Sequence, residues 1–335
     1  MSDTVLKIDR LCKHFPIRKG FLGRQTGAVK AVDGVDFRVG RGEIFGLVGE
    51  SGCGKSTIGR AILRAFDITS GRIIYSPQPH VEIELGTMNE AELRPLRREL
   101  QMIFQDPYSS LNPRMTVSEI IGEPLRLNRL MDGAQIREEV SRLLRDVGLN
   151  PSHMNRYPHA FSGGQRQRIG IARALVMKPR FVVADEAVSA LDVSVQAQIL
   201  ELLLKLKAQY SLSYLFISHD LSVIKYLCTR VGVMYVGKLV EVASRDALFR
   251  QPLHPYTQAL ISVVPIPNPR QRTRFRLLEG EVANPAAPPG GCYFHPRCPF
   301  AKRICRDTEP ALRNVAAEGD AEHMVACHFA GEVGV

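Results

Sequence analysis

Apolar and polar positions along the chain follow three patterns. Residues 4–9 and 35–39 alternate, the period of a strand with one buried face. The runs IFGLV (44–48), FVVA (181–184) and YLFIS (214–218) are apolar almost without break, which suits parallel strands covered on both faces. Ile136, Val140, Leu143, Leu144 and Val147 recur at helical spacing and stop at Gly148, and 193–209 forms a second amphipathic helix. Thr116-Val117-Ser118-Glu119 has the form of a capping box that opens a helix. A helix over 164–177 stops before Pro179. Residues 72–85 read as short strands broken by Ser76-Pro77-Gln78-Pro79, 96–100 as a charged helix and 101–104 as a strand. Residues 230–242 read as two strands around Gly237-Lys238, and 106–158 as wholly helical. The stretch FPIRKGFLGRQTGAVKAVDG, basic and rich in glycine, reads as a loop. Alternation of strands and helices predicts an α/β fold with a mostly parallel sheet.

The run at 44–48 leads into GESGCGKST, which leads into the helical IGRAILRAF. Strand, glycine-rich turn and helix in that order is the context of a phosphate loop. Gly49, Glu50, Ser51, Gly52, Cys53, Gly54, Lys55, Ser56 and Thr57 are therefore expected to cradle a nucleoside triphosphate. Backbone N–H groups and a helix N-terminus supply the positive end, Lys55 reaches the outer phosphates and the Ser56 hydroxyl ligates Mg²⁺. At the end of the 181–184 strand, Asp185 is placed to hold Mg²⁺ through water and Glu186 to polarise an attacking water as general base. Gln105 and His219 also follow strands; Gln105 can contact Mg²⁺ or the water, and His219 a γ-phosphate. Ser162-Gly163-Gly164-Gln165 fits two readings, a capping box with glycines for close packing or an anion site at a helix N-terminus. An isolated aromatic such as Phe15 is simple packing or a base-stacking platform.

The 335 residues are enough for one large domain, or a large one and a small one. Hydrophobic content of 45% and charged content of 23% are those of an ordinary globular protein. No apolar run approaches the ~18 residues of a membrane span, and MSDTVLKIDR is charged rather than signal-like. A cytoplasmic protein whose membrane spans belong to other chains is the expectation. The net charge of +10 suits nucleotide, nucleic acid or anionic lipid and selects none of them.

Composition shifts near residue 250: Pro252, Pro255, Pro265, Pro267, Pro269, Pro285 and Pro288 precede Pro289. Of seven cysteines, Cys292, Cys298, Cys305 and Cys327 crowd the C-terminal end, spaced C-x5-C-x6-C with a gap of 21 residues before the last. In a reducing compartment such a cluster is read as a metal site rather than as disulfides. Four thiolates can take zinc or an iron–sulfur cluster; the spacers exceed the short pairs of structural zinc. His295, His323 and His328 lie nearby as alternative ligands, and Arg270, Arg272, Arg274 and Arg276 alternate as an extended basic face.

The order of motifs resembles the nucleotide-binding subunit of an ATP-binding cassette transporter. GESGCGKST resembles its Walker A loop, Gln105 its Q-loop, FSGGQRQR its signature, FVVADE its Walker B, Ser189-Ala190-Leu191-Asp192 its D-loop and His219 its switch histidine. Phe161 stands where leucine is commoner, and Ala187 where the family usually has proline. QDPYSSLNPRMTV, SALDVSVQAQIL, LHPYTQAL and the cysteine tail are similar to the oligopeptide and dipeptide importer subfamily.

The resemblance implies a P-loop NTPase cassette over 1–250, with a mostly parallel core, an antiparallel part and a helical subdomain at about 106–178. A small cysteine-rich module would follow over 251–335. It makes Phe15 the adenine-stacking residue and places Asp192 and Ser162–Gln165 against ATP across a head-to-tail dimer. It also implies ATP hydrolysis that energises peptide import at the cytoplasmic face of the membrane. The partners implied are a paralogous second ATPase, two permease subunits and an extracytoplasmic peptide-binding protein, with no nucleic acid. A [4Fe–4S] cluster on the four cysteines, with zinc as the alternative, completes the expectation. A soluble cassette ATPase acting on ribosomes or DNA, or an importer of nickel chelates or glutathione, are the competing readings.

Overall fold

In a computed structural model, residues 3–19, 24–106, 108–263, 278–317 and 321–332 are described. Arg270, Arg272, Arg274 and Arg276, with Pro265, Pro267 and Pro269, lie outside them. The strands are β1 (Thr4–Lys19), β2 (Arg24–Gly40), β3 (Ile44–Val48), β4 (Ser70–Tyr75), β5 (Ile83–Glu84), β6 (Leu100–Ile103), β7 (Phe181–Asp185), β8 (Ser213–Ile217), β9 (Arg230–Tyr235), β10 (Lys238–Ser244), β11 (Arg313–Asn314) and β12 (Met324–Val325). The helices are α1 (Lys55–Ile62), α2 (Glu90–Leu96), α3 (Val117–Leu127), α4 (Gly133–Asp146), α5 (Gly163–Leu175), α6 (Val193–Tyr210), α7 (Leu221–Leu227), α8 (Arg245–Arg250), α9 (Pro255–Ser262) and α10 (Arg303–Asp307).

The larger sheet runs β11-β12-β10-β9-β3-β8-β7-β6. Its β9-β3-β8-β7-β6 part is parallel, and β10, β12 and β11 continue it antiparallel. The uninterrupted apolar runs are explained by two cores. Val182, Ala184, Tyr214 and Phe216 face the helical side. Phe181, Val183, Leu215 and Ile217 face α1 and the antiparallel sheet β2-β1-β4-β5. Gly59 is needed because α1 crosses so close that a Cβ would meet Val183 Cγ1 at 2.7 Å.

The middle section is helical only from Val117 on, where α3 and α4 are followed by a short 3-10 turn, Pro151–Asn155; residues 108–116, expected to be helical too, form turns and bends. Both halves of the Thr116/Glu119 capping box form. Two other expectations fail. The basic, glycine-rich stretch after Phe15 is not a loop in its described part but two paired strands, with Phe15 opposite Val29 and Ile17 opposite Gly27. Five register shifts interrupt the β1–β2 ladder, and each bulge resets the alternation of faces, so no clean period of two survives in the sequence. The helix expected over 96–100 lies earlier: an Asn89/Glu92 capping box opens α2, Leu96 ends it and Leu100 already begins β6.

The C-terminal segment is joined to the sheet. β12 pairs antiparallel with β10, placing Val325 beside Glu241. Tyr293 Oη donates to Asp33 Oδ2 at 2.8 Å, and Lys238 Nζ donates to Glu309 at 2.7 Å. Burial alone would raise the Asp33 carboxyl, but Tyr293, Lys238 and Lys30 outweigh it and hold it at about 2. Glu241 is wholly buried. Its carboxylate accepts from Leu253 N at 2.8 Å and His254 N at 2.9 Å, and lies 2.7 Å from His323 Nε2. Glu241→Ala leaves three groups, two of them buried, without their acceptor, so stability is expected to fall by roughly 3–5 kcal/mol, the cost of opening a buried polar network. Urea unfolding measures it, and Glu241→Gln, which keeps an acceptor oxygen, loses less.

Candidate active site

Beyond Val48 the chain turns on glycines in left-handed backbone. Gly49, Gly52 and Gly54 have φ of 152°, 80° and 107°. A Cβ on Gly49 would strike the carbonyl oxygen of Met234 on β9, and one on Gly54 that of Ala31 on β2. The loop is thus pressed between two strands, and Gly54 caps α1 without a side chain. The first N–H groups of α1 are left for an anion. Lys55, 4% exposed, lies along the loop: its Nζ donates to the carbonyls of Gly49 at 2.8 Å and Glu50 at 3.0 Å. Ser51 and Gly52 are exposed, Thr57 is half-buried, and Cys53 is buried, which pushes its thiol up.

Parallel register brings the remaining groups to this loop. Leu47 pairs with Ile217, Ile217 with Asp185, and Ala184 with Ile103. Ser56 Oγ donates to Asp185 Oδ1 at 2.6 Å. Burial of Asp185 raises its carboxyl, against the pull of that hydrogen bond. Gln105 Nε2 donates to Glu186 Oε2 at 2.8 Å, and His219 Nδ1 lies 3.2 Å from the same oxygen. Gln105, Glu186 and His219 therefore meet. Among the described residues Glu186 Oε1 takes none of these contacts, which leaves a carboxylate oxygen to accept a proton.

Ser162–Gln165 forms a second group. Ser162 Oγ accepts from Gln165 N at 3.3 Å while Gln165 Oε1 accepts from Ser162 N at 3.1 Å, so the capping box is real. Gly164 lies against Val195, where a Cβ would collide. Asp192 caps α6, its Oδ1 accepting from Val195 N at 3.0 Å. No hydrogen bond among the described residues joins this group to the phosphate loop. Phe15 lies on β1, 37% exposed, edge-on to Phe66 at 5.6 Å with the Lys13 ammonium 4.9 Å from its ring centre.

The family model described as ABC transporter matches residues 32–189, and the one described as oligopeptide/dipeptide transporter, C-terminal region, matches 240–305. The Oligopeptide transport ATP-binding protein AppF of Bacillus subtilis (strain 168) is 49% identical over 332 residues, 98% of this chain and 98% of its own length. This chain belongs to the ABC transporter family. The probable peptide ABC transporter ATP-binding protein y4tS of Sinorhizobium fredii is 50% identical, covering 98% of this chain and 90% of its own length. Among solved structures, the dimeric ATP-binding cassette MJ0796, in a post-hydrolysis state bound to ADP and Pi, superposes with a TM-score of 0.62 at 26% identity. It covers 72% of this chain and 98% of its own length. The chain has the ABC cassette fold and is an ATPase of that family.

The four C-terminal cysteines of this ABC ATPase line one small cavity, with Phe294, Phe300 and Phe329. Burial pushes the Cys292 thiol up to about 12 and Cys298 to about 11, and raises Cys327. Each nearby histidine already places a ring nitrogen on an oxygen: His295 on Cys292 O, His323 on Glu241 and His328 on Thr308 O. Among the described residues the one trio of potential ligand atoms within 4.8 Å of one another is Cys12, His14 and Asp33. There Asp33 already has Lys30 and Lys238 ammonium groups at 3.5 and 3.3 Å as counter-charges.

Sequence reasoning missed two residues that reach the phosphate loop from the C-terminal side. Tyr256 Oη accepts from Glu50 N at 2.9 Å, and Arg297 pairs with the Glu50 carboxylate. LHPYTQAL marks the Tyr256 neighbourhood in the sequence; nothing local marks Arg297.

The glycine geometry has a direct consequence. Gly54→Ala is expected to destabilise the fold by about 1–3 kcal/mol through strain and collision. It is also expected to abolish nucleotide binding, as read by thermal melting and by titration with a fluorescent ATP analogue.

Proposed function

We propose that this chain hydrolyses ATP to drive peptide import, at the cytoplasmic face of a membrane, together with a paralogous ATPase and two permease subunits. An extracytoplasmic peptide-binding protein would deliver the substrate. The observation that carries this reading is full-length similarity to peptide transport ATP-binding proteins together with the match of 240–305 to the oligopeptide/dipeptide C-terminal region. Among the described residues no helix is long and apolar enough to cross a membrane, so the spans are assigned to partner chains. The proposed boundary falls at 250, with the cassette before it and the C-terminal segment after it.

In this reading Gly49–Thr57 binds the phosphates and Phe15 stacks on the base. Lys55 leaves the loop carbonyls for the outer phosphates. Ser56, Asp185 and Gln105 would hold Mg²⁺, and their oxygens suit a hard cation. Bound there, the ion neutralises charge on the phosphates. Glu186 Oε1 takes a proton from the attacking water, Gln105 orients that water and His219 contacts the γ-phosphate. Ser162–Gln165 and Asp192 serve the nucleotide of the facing subunit, which accounts for their separation from this chain's own loop. Glu186→Gln is expected to retain ATP binding while hydrolysis falls at least ~100-fold. Reconstituted with the permease subunits, it should also lose uptake of labelled di- and tripeptides. Unimpaired hydrolysis would overturn the role of Glu186, and uptake of a nickel chelate or glutathione instead of peptide would overturn the substrate.

The four tail thiols suit a [4Fe–4S] cluster as a structural or redox-sensing element. Zn–S bonds of about 2.3 Å would draw four sulfurs to ~3.8 Å of one another. No three of them lie within 4.8 Å of one another, so the thiols as they stand do not form a tight zinc tetrahedron. Cys292, Cys298, Cys305 and Cys327 would hold the cluster. Anaerobically purified protein is expected to be brown with about four irons per chain, lost in Cys298→Ser; one zinc without iron would reverse the assignment.

A further inference from the structure

Every polar group of Glu50, the second residue of the phosphate loop, is held. Its N–H donates to Tyr256 Oη at 2.9 Å, and its carbonyl accepts from Lys55 Nζ at 3.0 Å and from Cys53 N at 3.2 Å. Its two carboxylate oxygens accept from Arg297 Nη1 at 2.8 Å and Nη2 at 3.1 Å. The carboxylate is a hazard where it stands. The loop gathers N–H dipoles for an anion, and an uncompensated negative charge beside bound phosphates repels them. Arg297 removes that charge with a planar fork that also fixes direction.

The arginine is itself well fixed. Its side chain is 7% exposed, against 28% for Glu50, so the pair is shielded from solvent. Its guanidinium lies 5.8 Å from the Tyr235 ring. It ends the short turn His295–Arg297, which follows Phe294, and Phe294 is buried against the rings of Tyr235 and Tyr256 at 5.3 and 5.4 Å. The aromatic group that anchors the turn is thus the one that presents Tyr256 to Glu50 N. Both holds come from beyond the stretch that matches the cassette model, 32–189.

We propose that Arg297 is a positioning residue for ATP binding: by pairing with Glu50 it holds the phosphate loop in its binding shape and cancels a negative charge beside the phosphates. The inference rests on the ATP-site reading above and extends it to a residue that touches no substrate.

The test uses the full chain, with steady-state hydrolysis and direct titration of a fluorescent ATP analogue on Arg297→Gln, Arg297→Lys, Glu50→Gln and the Arg297→Gln/Glu50→Gln pair. Arg297→Gln is expected to raise KM and Kd for ATP roughly tenfold, or about 1.4 kcal/mol, with kcat within about twofold. Adding Glu50→Gln removes the orphaned carboxylate while the fork stays lost, so Kd should recover to within about threefold of wild type. A merely structural role would lower kcat or the folded fraction, leave KM in place and gain nothing from the second change. KM within about twofold of wild type in Arg297→Gln, or a double variant weaker than the single, overturns the proposal. Should Arg297→Gln not fold, Arg297→Lys decides: the ammonium keeps the charge but not the planar fork, so a Kd raised about two- to threefold supports the clamp, and an unchanged Kd overturns it. Wild type that binds no ATP would overturn the ATP-site reading as well, whereas equal binding by wild type and variants overturns the clamp alone.

Discussion

The ends of four parallel strands, β3, β6, β7 and β8, lie at one edge of the sheet, and the chemistry of the site depends on that register. Ile217 pairs with both Leu47 and Asp185, and Ile103 with Ala184. Residues one or two positions beyond these pairs must emerge at the same level. They are Gly49, Glu186, His219 and Gln105. A slip of one residue in any strand would exchange its two faces. The apolar runs resist such a slip because both faces are buried in different cores, with Val182 and Ala184 on one side and Phe181 and Val183 on the other.

At that edge the backbone of Glu186 is the costly element. Its φ of 46° is left-handed, a conformation that costs a residue with a Cβ about 1–2 kcal/mol. Glu186 N donates to Ile217 O at 2.9 Å, and Glu186 O accepts from Ser189 N at 3.1 Å and Ser189 Oγ at 3.0 Å. These bonds hold the turn and return the carboxylate toward Gln105 and His219. They also bear on Ala187, which stands where the resemblance to the cassette family leads one to expect proline. A ring there would stiffen the backbone by fixing φ. In this chain Ser189 closes the turn, and the Ala187 methyl is buried at 1% exposure.

How much of this could be read from the sequence follows from how local each cause is. The phosphate loop was legible because its constraint is local: only glycine tolerates the φ values at Gly49 and Gly54. The capping boxes at Thr116 and Ser162 were legible for the same reason, a donor and an acceptor three residues apart. The β1–β2 pairing was not, since bulges at five places erase the alternation on which strand reading depends. The meeting of Gln105, Glu186 and His219 needed both the motif order and the fold, because their spacing in sequence says nothing of distance. Arg297 and Glu50 are 247 positions apart, and an ion pair at that separation leaves no periodic trace.

The C-terminal segment shows why a cassette and its extension can act as one body. A surface ion pair contributes little, because water competes for both partners. The contacts here are of another kind. Glu241, with no exposed surface, takes two backbone N–H groups and lies beside His323. Val325 takes its place in the sheet beside Glu241. Arg297 reaches the phosphate loop from a turn packed on buried rings. Buried polar contacts of this kind lose far more when one partner is removed than they add when formed. They therefore specify geometry more than they add stability. The contact from Arg297 specifies the geometry of Glu50, one residue past the point where β3 gives way to the loop. A disturbance of the turn between Cys292 and Cys298 would reach the loop by two routes, through Arg297 and, by way of Phe294, through Tyr256.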